Sequence, residues 1–323
     1  KIFKNKKKKF KSHKFSGIQF NSKKCKKGDI FFAIKGNKKN GNKFIDDAIN
    51  NGAKTIISEL KNEGFKKNIL YLNSKNTRKL LAETASKIYK KRPKNLIAVT
   101  GTNGKSSVAN FFIQILKQCN TTAASIGTLG VNSRNINMPL KNTTLDPISL
   151  NKILEKLVKK KIKNVILEAS SHGLKQHRLD GLNFDVGLFT NFSRDHLDYH
   201  KSFKNYFDSK MILFNKLMKK KARIIYDNDI LESNKIKNIL NKKKLKYYTF
   251  GKDKSDLKII NHKFLGNKQK IIFTFKNQRY NFETDLIGML QIKNLLFAIL
   301  AANQILPMKK IIESLNKIIP VNG

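Results

Sequence analysis

The sequence predicts an α/β protein of two domains: a small N-terminal α/β domain, then a P-loop domain built on a mostly parallel sheet. Three observations predict it. The chain has 323 residues, more than one hydrophobic core ordinarily serves. From Leu96 onward, short continuous apolar runs alternate with stretches of helical spacing, the pattern of strands buried on both faces of a parallel sheet. One of these runs leads directly into a glycine-rich turn and then a helix.

Residues 15–60 alternate short apolar runs with turn clusters. Gly28-Asp29 precedes a strand-like run over 30–34, residues 36–42 read as a loop, 44–51 have helical spacing, and 54–58 form another short strand. A helix over about 77–91 runs into Arg92-Pro93, where proline and the residue before it disfavour continuation. The domain boundary is placed there, giving 1–92 and 93–319. In the second domain a strand over 96–100 is followed by the glycine loop and a helix from Lys105 to about Gln118. Later strands are expected at 165–168, 186–190 and 222–226, with helices near 148–160 and 203–218. Residues 246–285 read as β-rich, and a last helix over about 291–304 follows Gly288. No internal repeat is visible. The chain starts without Met and stops at Pro320-Val-Asn-Gly323, so both ends read as cut.

Composition narrows the class. Forty per cent of residues are apolar, enough for folded cores, and no run approaches the roughly 20 apolar residues of a membrane helix. The basic stretch 1–14 lacks the apolar centre of a secretory signal. Two cysteines, Cys25 and Cys119, stand far apart in no metal-ligand spacing, so neither a disulfide framework nor a zinc site is expected, and a reducing cytoplasm fits. The formal charge of +45 points toward nucleic acid. It rests on 60 Lys against 7 Arg, however, and Arg is the residue of bidentate phosphate and base recognition. The lysines are spread along the chain among Asn and Ile, the mark of a drift in composition expressed on solvated faces. No specific nucleic-acid partner is expected.

Three clusters carry chemistry. In the first, Gly101-Thr102-Asn103-Gly104-Lys105-Ser106-Ser107, the glycines allow a tight turn that aims backbone N–H groups at one anion, and the helix start adds partial positive charge. Lys105 would meet the β- and γ-phosphates of a nucleotide, and Ser106 would offer its hydroxyl to magnesium. Val99 stands where the long P-loop pattern has its first glycine, so the match is to the shorter G-x-x-G-K-S form. The second cluster, Glu168-Ala-Ser-Ser-His-Gly173, lies at the C-terminal end of a strand, where ligands bind in open α/β sheets. Glu168 there suits a hard cation, or is a strand-terminal polar residue. Ser170 and Ser171 resemble nucleophiles, but no Gly-x-Ser-x-Gly elbow surrounds them. The third cluster, Thr190 to His200, brings Arg194, Asp195 and His196 behind another strand end. His196 is a candidate metal or phosphate ligand, and His200 reads as structural. Lys210 lies on the following helix, and nothing in its own surroundings separates it from neighbouring lysines.

Together these residues resemble the Mur ligase family, in its MurE branch. The segments that carry the resemblance are TGTNGKSS at 100–107, NTT at 142–144, EASSHGLKQHR at 168–178 and TNFSRDHLDYH at 190–200. The resemblance implies an ATP-dependent ligase, using ATP and Mg2+, that adds the third amino acid of the peptidoglycan stem to UDP-N-acetylmuramoyl-L-Ala-D-Glu through an acyl phosphate. It implies a monomer whose partners are that UDP-muramoyl-dipeptide and a free amino acid. Residues 320–323 would then open a linker to a third domain. For UDP-muramoyl-peptide binding it implies Phe20, Ser22, the loop residues Asn37, Lys38 and Lys39, and Asn142, Thr143, Thr144, Ser170, Gln176 and Arg178. For ATP it implies 101–107 and Asn294; for metal, Ser106, Glu168, His196 and Lys210 as its carbamate. The catalytic group is Lys105, Lys210 and His196. Asn21 and Lys23 stand where the family usually has Asp and Arg, and Gln291 where it usually has Asn.

Overall fold

The computed structural model describes residues 14–36 and 40–320, so the expected loop residues Asn37, Lys38 and Lys39 lie outside the described residues. The chain divides into two compact units. The first comprises the chain up to Lys90 with Asp146–Ile153 and Gln176–Leu182; the second comprises Lys91–Leu145, Leu154–Lys175 and the rest from Asn183. Two later segments thus belong to the first unit, which a single cut at residue 92 assigns to the second.

The first unit contains β1 (Ile18–Gln19), β2 (Ile30–Phe32), α1 (Ile45–Asn50), β3 (Thr55–Ser58), β4 (Gly64–Lys66), β5 (Ile69–Asn73) and α2 (Thr77–Ile88). Its sheet runs β1-β2-β3-β5-β4, parallel except for β4. β2 and β3 are buried along their whole length, as strands covered on both faces must be. Alternate side chains feed two cores: Ile30, Phe32 and Ile57 join Leu81 and Ala85 of α2, whereas Phe31 and Ile56 join Ala48 of α1. This is the period-two geometry of a strand. Asn76 caps α2 by accepting from Lys79 N–H at 2.9 Å. The helix stops at Ile88, short of the expected 91, because Tyr89 already has φ −90° and ψ 87°: the chain leaves helical geometry ahead of Pro93.

The second unit contains β6 (Asn95–Thr100), α3 (Lys105–Gln118), β7 (Ala123–Gly127), β8 (Gly130–Ser133), β9 (Ile136–Met138), the end of α4 (Pro147–Lys159), β10 (Asn164–Glu168), α5 (Ser171–Lys175) and β11 (Phe184–Phe189). It continues with α6 (Leu197–His200), α7 (Phe203–Lys216), β12 (Met218–Asp227), α8 (Ser233–Lys242), β13 (Lys246–Gly251), β14 (Leu257–Leu265), β15 (Lys268–Phe275), β16 (Gln278–Thr284), α9 (Met289–Ala302) and α10 (Met308–Glu313). One sheet orders them β16-β15-β14-β13-β12-β11-β6-β10-β7-β8-β9. From β7 to β14 every pairing is parallel, and antiparallel hairpins extend both edges.

The core of this unit packs α3 and α9 together: Phe111, Phe112 and Ile115 meet Leu295, Leu296 and Ile299 in one buried cluster. Each such side chain contributes about 2 kcal/mol through the area it removes from water. The chain leaves β6 for β7 on one side, returns to β10 between them, then crosses to β11 on the other side of β6. Strand order therefore reverses at β6, which opens a crevice at the C-terminal ends of β6, β10 and β11.

Candidate functional site

The loop after β6 fills that crevice. Gly104, the residue before α3, has φ 83°, and a Cβ on it would fall on the Asn294 side chain of α9. Glycine is thus required there twice over, by backbone and by space. No side chain caps α3, so the N–H groups of its first turn have no partner inside the helix. The loop is tied to the end of β11: Asn191 Oδ1 accepts from Asn103 N–H at 2.9 Å, and Thr190 Oγ1 donates to the Asn103 carbonyl at 2.6 Å. Lys105 folds back so that Nζ donates to the carbonyls of Gly101 (2.9 Å) and Thr102 (2.7 Å). Burial lowers its pKa, while the nearby carboxylates of Glu168 and Asp195 act in the opposite sense.

Opposite the loop, Glu168 ends β10, 2% exposed. Its Oε1 accepts from Ser106 Oγ and from Thr128 N–H, both at 2.9 Å, and Oε2 accepts from Thr128 Oγ1 at 3.2 Å. These donors satisfy a carboxylate that burial would otherwise penalise. Gly127 leaves room for it; a Cβ there would strike the carboxylate. Thr143 bonds Thr128 through their hydroxyls at 3.0 Å. Ser170 accepts from Gly173 N–H at 3.1 Å and shares a 3.0 Å contact with Thr144.

Lys210 reaches the same place from α7. It is 1% exposed, donates to the Gly101 carbonyl at 2.6 Å and lies 4.3 Å from the centre of the Tyr206 ring. Burial, then repulsion from Lys105, lowers its pKa to about 6, against the pull of Asp195. Burial and the neighbouring ammonium thus both favour the neutral amine. His196 has φ 51°; its N–H donates to Asp195 Oδ1 at 2.8 Å, and its ring stands edge-on to His172 at 4.8 Å. His200 is buried among His172, Lys175, Lys210 and His196, and burial first and those neighbours next lower its pKa to about 4.

A cleft of about 350 Å³ is bounded by residues 101–107, Thr128, Thr143, Glu168, Ser170, Ser171, His196, Tyr206 and Lys210. The structure thus gathers the expected Gly101, Thr102, Asn103, Gly104, Lys105, Ser106, Ser107, Thr143, Glu168, Ser170, His196 and Lys210 in one place. Asn294 packs against Gly104, and the Oε1 atom of Gln291 on the same helix is buried with no hydrogen-bond partner. Thr144 lies beneath the cleft, donating to the Glu168 carbonyl, and Asn142 is exposed nearby in sequence. Four other expected residues belong to the first unit. Phe20 is exposed after β1, and Ser22 is buried in a single helical turn capped by the Asn21 side chain. Gln176 accepts from Arg178 Nε and Nη2 at 3.2 and 2.8 Å. Sequence reading missed Tyr206 and Thr128. Tyr206 sits one helical turn before Lys210, so i,i+4 spacing could have found it; Thr128 has only its place in a Gly-Thr-Leu-Gly turn.

The expected metal ligands are tested by their chemistry. Ser106 and Glu168 supply hard oxygen donors side by side, which suits magnesium. The amine of Lys210 as it stands does not, and its conversion to a carbamate would supply the missing oxygen. Among the described residues no three His, Cys, Asp or Glu side chains gather at ligand spacing, so His196 and Glu168 do not by themselves form a site.

A parallel sheet whose order reverses at a glycine loop, with an uncapped helix start facing a buried carboxylate, defines a P-loop α/β protein. Comparison with known proteins narrows that class. The Mur ligase middle domain matches residues 99–302, and the catalytic domain of the Mur ligase family matches 14–89. The chain belongs to the Mur ligase family. It is 40% identical over 319 residues to the UDP-N-acetylmuramoyl-L-alanyl-D-glutamate--2,6-diaminopimelate ligase of Rickettsia montanensis, covering 97% of this chain and 66% of that protein. The enzyme of the same name from Wigglesworthia glossinidia brevipalpis is 38% identical over 301 residues, covering 89% of this chain and 60% of its own. Among solved structures, a ligase of that name superposes with TM-score 0.84 at 27% identity, over 96% of this chain and 64% of that one. MurF from Thermotoga maritima in complex with ADP, at TM-score 0.63 and 19% identity over 95% of this chain and 66% of that one, shares the fold. The chain therefore spans about two thirds of the length of the curated relatives it matches.

Proposed function

We propose that this chain is the ATP- and UDP-muramoyl-peptide-binding part of an ATP-dependent amide ligase that extends UDP-N-acetylmuramoyl-L-alanyl-D-glutamate. The relatives' names carry 2,6-diaminopimelate, which we take as the incoming amino acid. The observation that carries the reading is a single cleft in which Lys105 and the open start of α3 lie beside the Ser106–Glu168 pair and Lys210. That is a cation and donor wall for a triphosphate beside an oxygen site for its metal. Residues 1–92 would hold the UDP-muramoyl-peptide, with Phe20, Ser22 and the loop 37–39, and 93–319 would hold ATP, with Asn294 and Gln291 toward the base.

In the reaction, the D-glutamyl γ-carboxylate attacks the γ-phosphorus of ATP, giving an acyl phosphate and ADP. The amine of the incoming amino acid then attacks the acyl carbon, loses a proton and expels phosphate. The cleft contributes position and charge neutralisation. Lys105 exchanges its contacts with the Gly101 and Thr102 carbonyls for phosphate oxygens. Ser106 and Glu168 would hold magnesium, which would supply positive charge against the phosphate oxygens. Attack of the Lys210 amine on carbon dioxide, with loss of a proton, would give a carbamate whose anionic oxygen would complete the oxygen donors at that site.

Lys105→Ala tests the assignment: loss of at least about a hundredfold in ATP-dependent phosphate release is expected, and a near-normal rate would defeat it. A panel of acceptors tests the substrate. Release should follow UDP-muramoyl-dipeptide; a response to tetrahydrofolate or to UDP-muramoyl-tripeptide instead would assign the chain to another branch of the family.

A further inference from the structure

The hydroxyls of Ser170 and Ser171 are neighbours in the cleft but hang from different networks, and distances fix where each proton lies. Thr144 Oγ1 is 2.9 Å from the Glu168 carbonyl oxygen. Two bare oxygens that close repel, so the Thr144 proton lies between them. Ser170 Oγ, 3.0 Å from Thr144 Oγ1, is therefore the donor in that pair. In the second network, Ser209 Oγ is 2.6 Å from the Asn205 carbonyl, so its proton is committed by the same reasoning. His200 Nδ1, 3.2 Å from Ser209 Oγ, must then carry the hydrogen of that contact. A neutral imidazole has one N–H, so Nε2 is bare and accepts from Ser171 Oγ at 3.0 Å. Both serine protons are committed inside the protein, so Ser171 Oγ, and Ser170 Oγ beyond its bond from Gly173 N–H, can offer a ligand in the cleft only a lone pair.

We propose that His200, held as its Nδ1–H tautomer by Ser209, is a positioning residue that fixes the Ser171 hydroxyl as a hydrogen-bond acceptor for a donor on the bound ligand. That donor is an N–H of the muramoyl peptide or the O–H of a water on the metal. The identity of the ligands rests on the ligase reading, whereas the tautomer does not. Phosphate oxygens only accept at this pH, so the serine wall disfavours them. The cleft is thereby divided: α3 N–H groups and Lys105 serve the triphosphate, and Ser170 with Ser171 serve what donates. A second N–H on the ring would donate at Nε2 and reverse the Ser171 proton, which is why a buried ring, where charge is penalised, suits the task.

Two measurements test this. In 15N-histidine-labelled protein, the His200 signals, assigned by their loss in His200→Gln, should show a protonated Nδ1 and a bare Nε2; a proton on Nε2 overturns the proposal. The second is a double-mutant cycle read by ligand affinity, with thermal melting to confirm that each variant folds. Ser171→Ala should weaken either UDP-muramoyl-dipeptide or magnesium-dependent nucleotide binding by about tenfold, and the arm that falls identifies the donor. His200→Leu should cost the same factor alone and nothing further in Ser171→Ala. His200→Gln, which can accept at one atom and donate at the other, should restore most of the affinity. Equal losses from His200→Leu with and without the Ser171 hydroxyl, or no change in Ser171→Ala, would sink the positioning role. If neither ligand binds the unaltered protein, the ligase reading fails and the Ser171 role with it, while the tautomer is still decided by the spectrum.

Discussion

Glu168 shows how much of this site is held by single residues. Its carboxylate is buried, yet three donors from Ser106 and Thr128 reach it, which holds its oxygens in place next to where a cation would sit. Glu168→Gln should preserve the fold, because the amide oxygen can still accept, and weaken magnesium-dependent nucleotide binding by about tenfold or more; titrating the metal against a bound nucleotide analogue checks this. Gly127→Ala should give a similar loss by a different route, since the added methyl meets the same carboxylate. For His200 the lowered pKa sets a pH dependence. The unfolded chain takes up the proton near the ordinary value of 6.5 and the folded chain only near 4, so acid favours unfolding across that window. The stability advantage of wild type over His200→Gln should therefore shrink as pH falls from 6.5 to 4, measured by denaturant unfolding at several pH values; an advantage that grows on acidification would be incompatible with the shift.

At the scale of elements, the strands and helices around the loop follow from local pattern. β6, β10 and β11 each carry a short apolar run (96–99, 165–167 and 186–189), and α3 begins where the glycines end. The helix α9 is apolar and buried from Leu295 to Ala302, so its packing on α3 holds Asn294 against Gly104. Leu296→Ala should cost about 3 kcal/mol of stability and loosen nucleotide binding in parallel, checked by melting and by titration with ATP; a change in binding with no change in stability would mean that α9 acts in another way. Some elements were not legible. The hairpins β7–β8–β9 lie in a stretch mixed with Thr, Asn and Ser, whose strand character comes from pairing across the sheet edge rather than from its own residues. The helix α8 was hidden by its lysines and asparagines, which mask a short apolar stripe of Ile236 and Leu240.

At the scale of the whole molecule, the charge of +45, spread over lysines along the chain, is expected to act as a diffuse field rather than a site. It predicts binding to any polyanion at low ionic strength that is lost by about 200 mM salt. A salt titration of DNA binding checks this, and an interaction that survives would indicate a dedicated surface. Among the described residues no helix is long and apolar enough to cross a membrane. The sequence by itself determined the α/β class, the P-loop and its helix, and the clusters at 168–178 and 190–210, because each depends on neighbours in the chain: apolar runs, glycines that permit a turn, and polar residues at strand ends. The resemblance already set Lys210 apart, but only the tertiary structure shows what distinguishes it physically from dozens of other lysines, and that His200 has more than a packing role. Both properties come from burial and from partners more than 25 residues away in sequence, such as Gly101 for Lys210 and Ser171 for His200. The desolvation that favours a neutral amine, and the hydrogen bonds that hold an imidazole in one tautomer, arise only when the fold has brought those groups together.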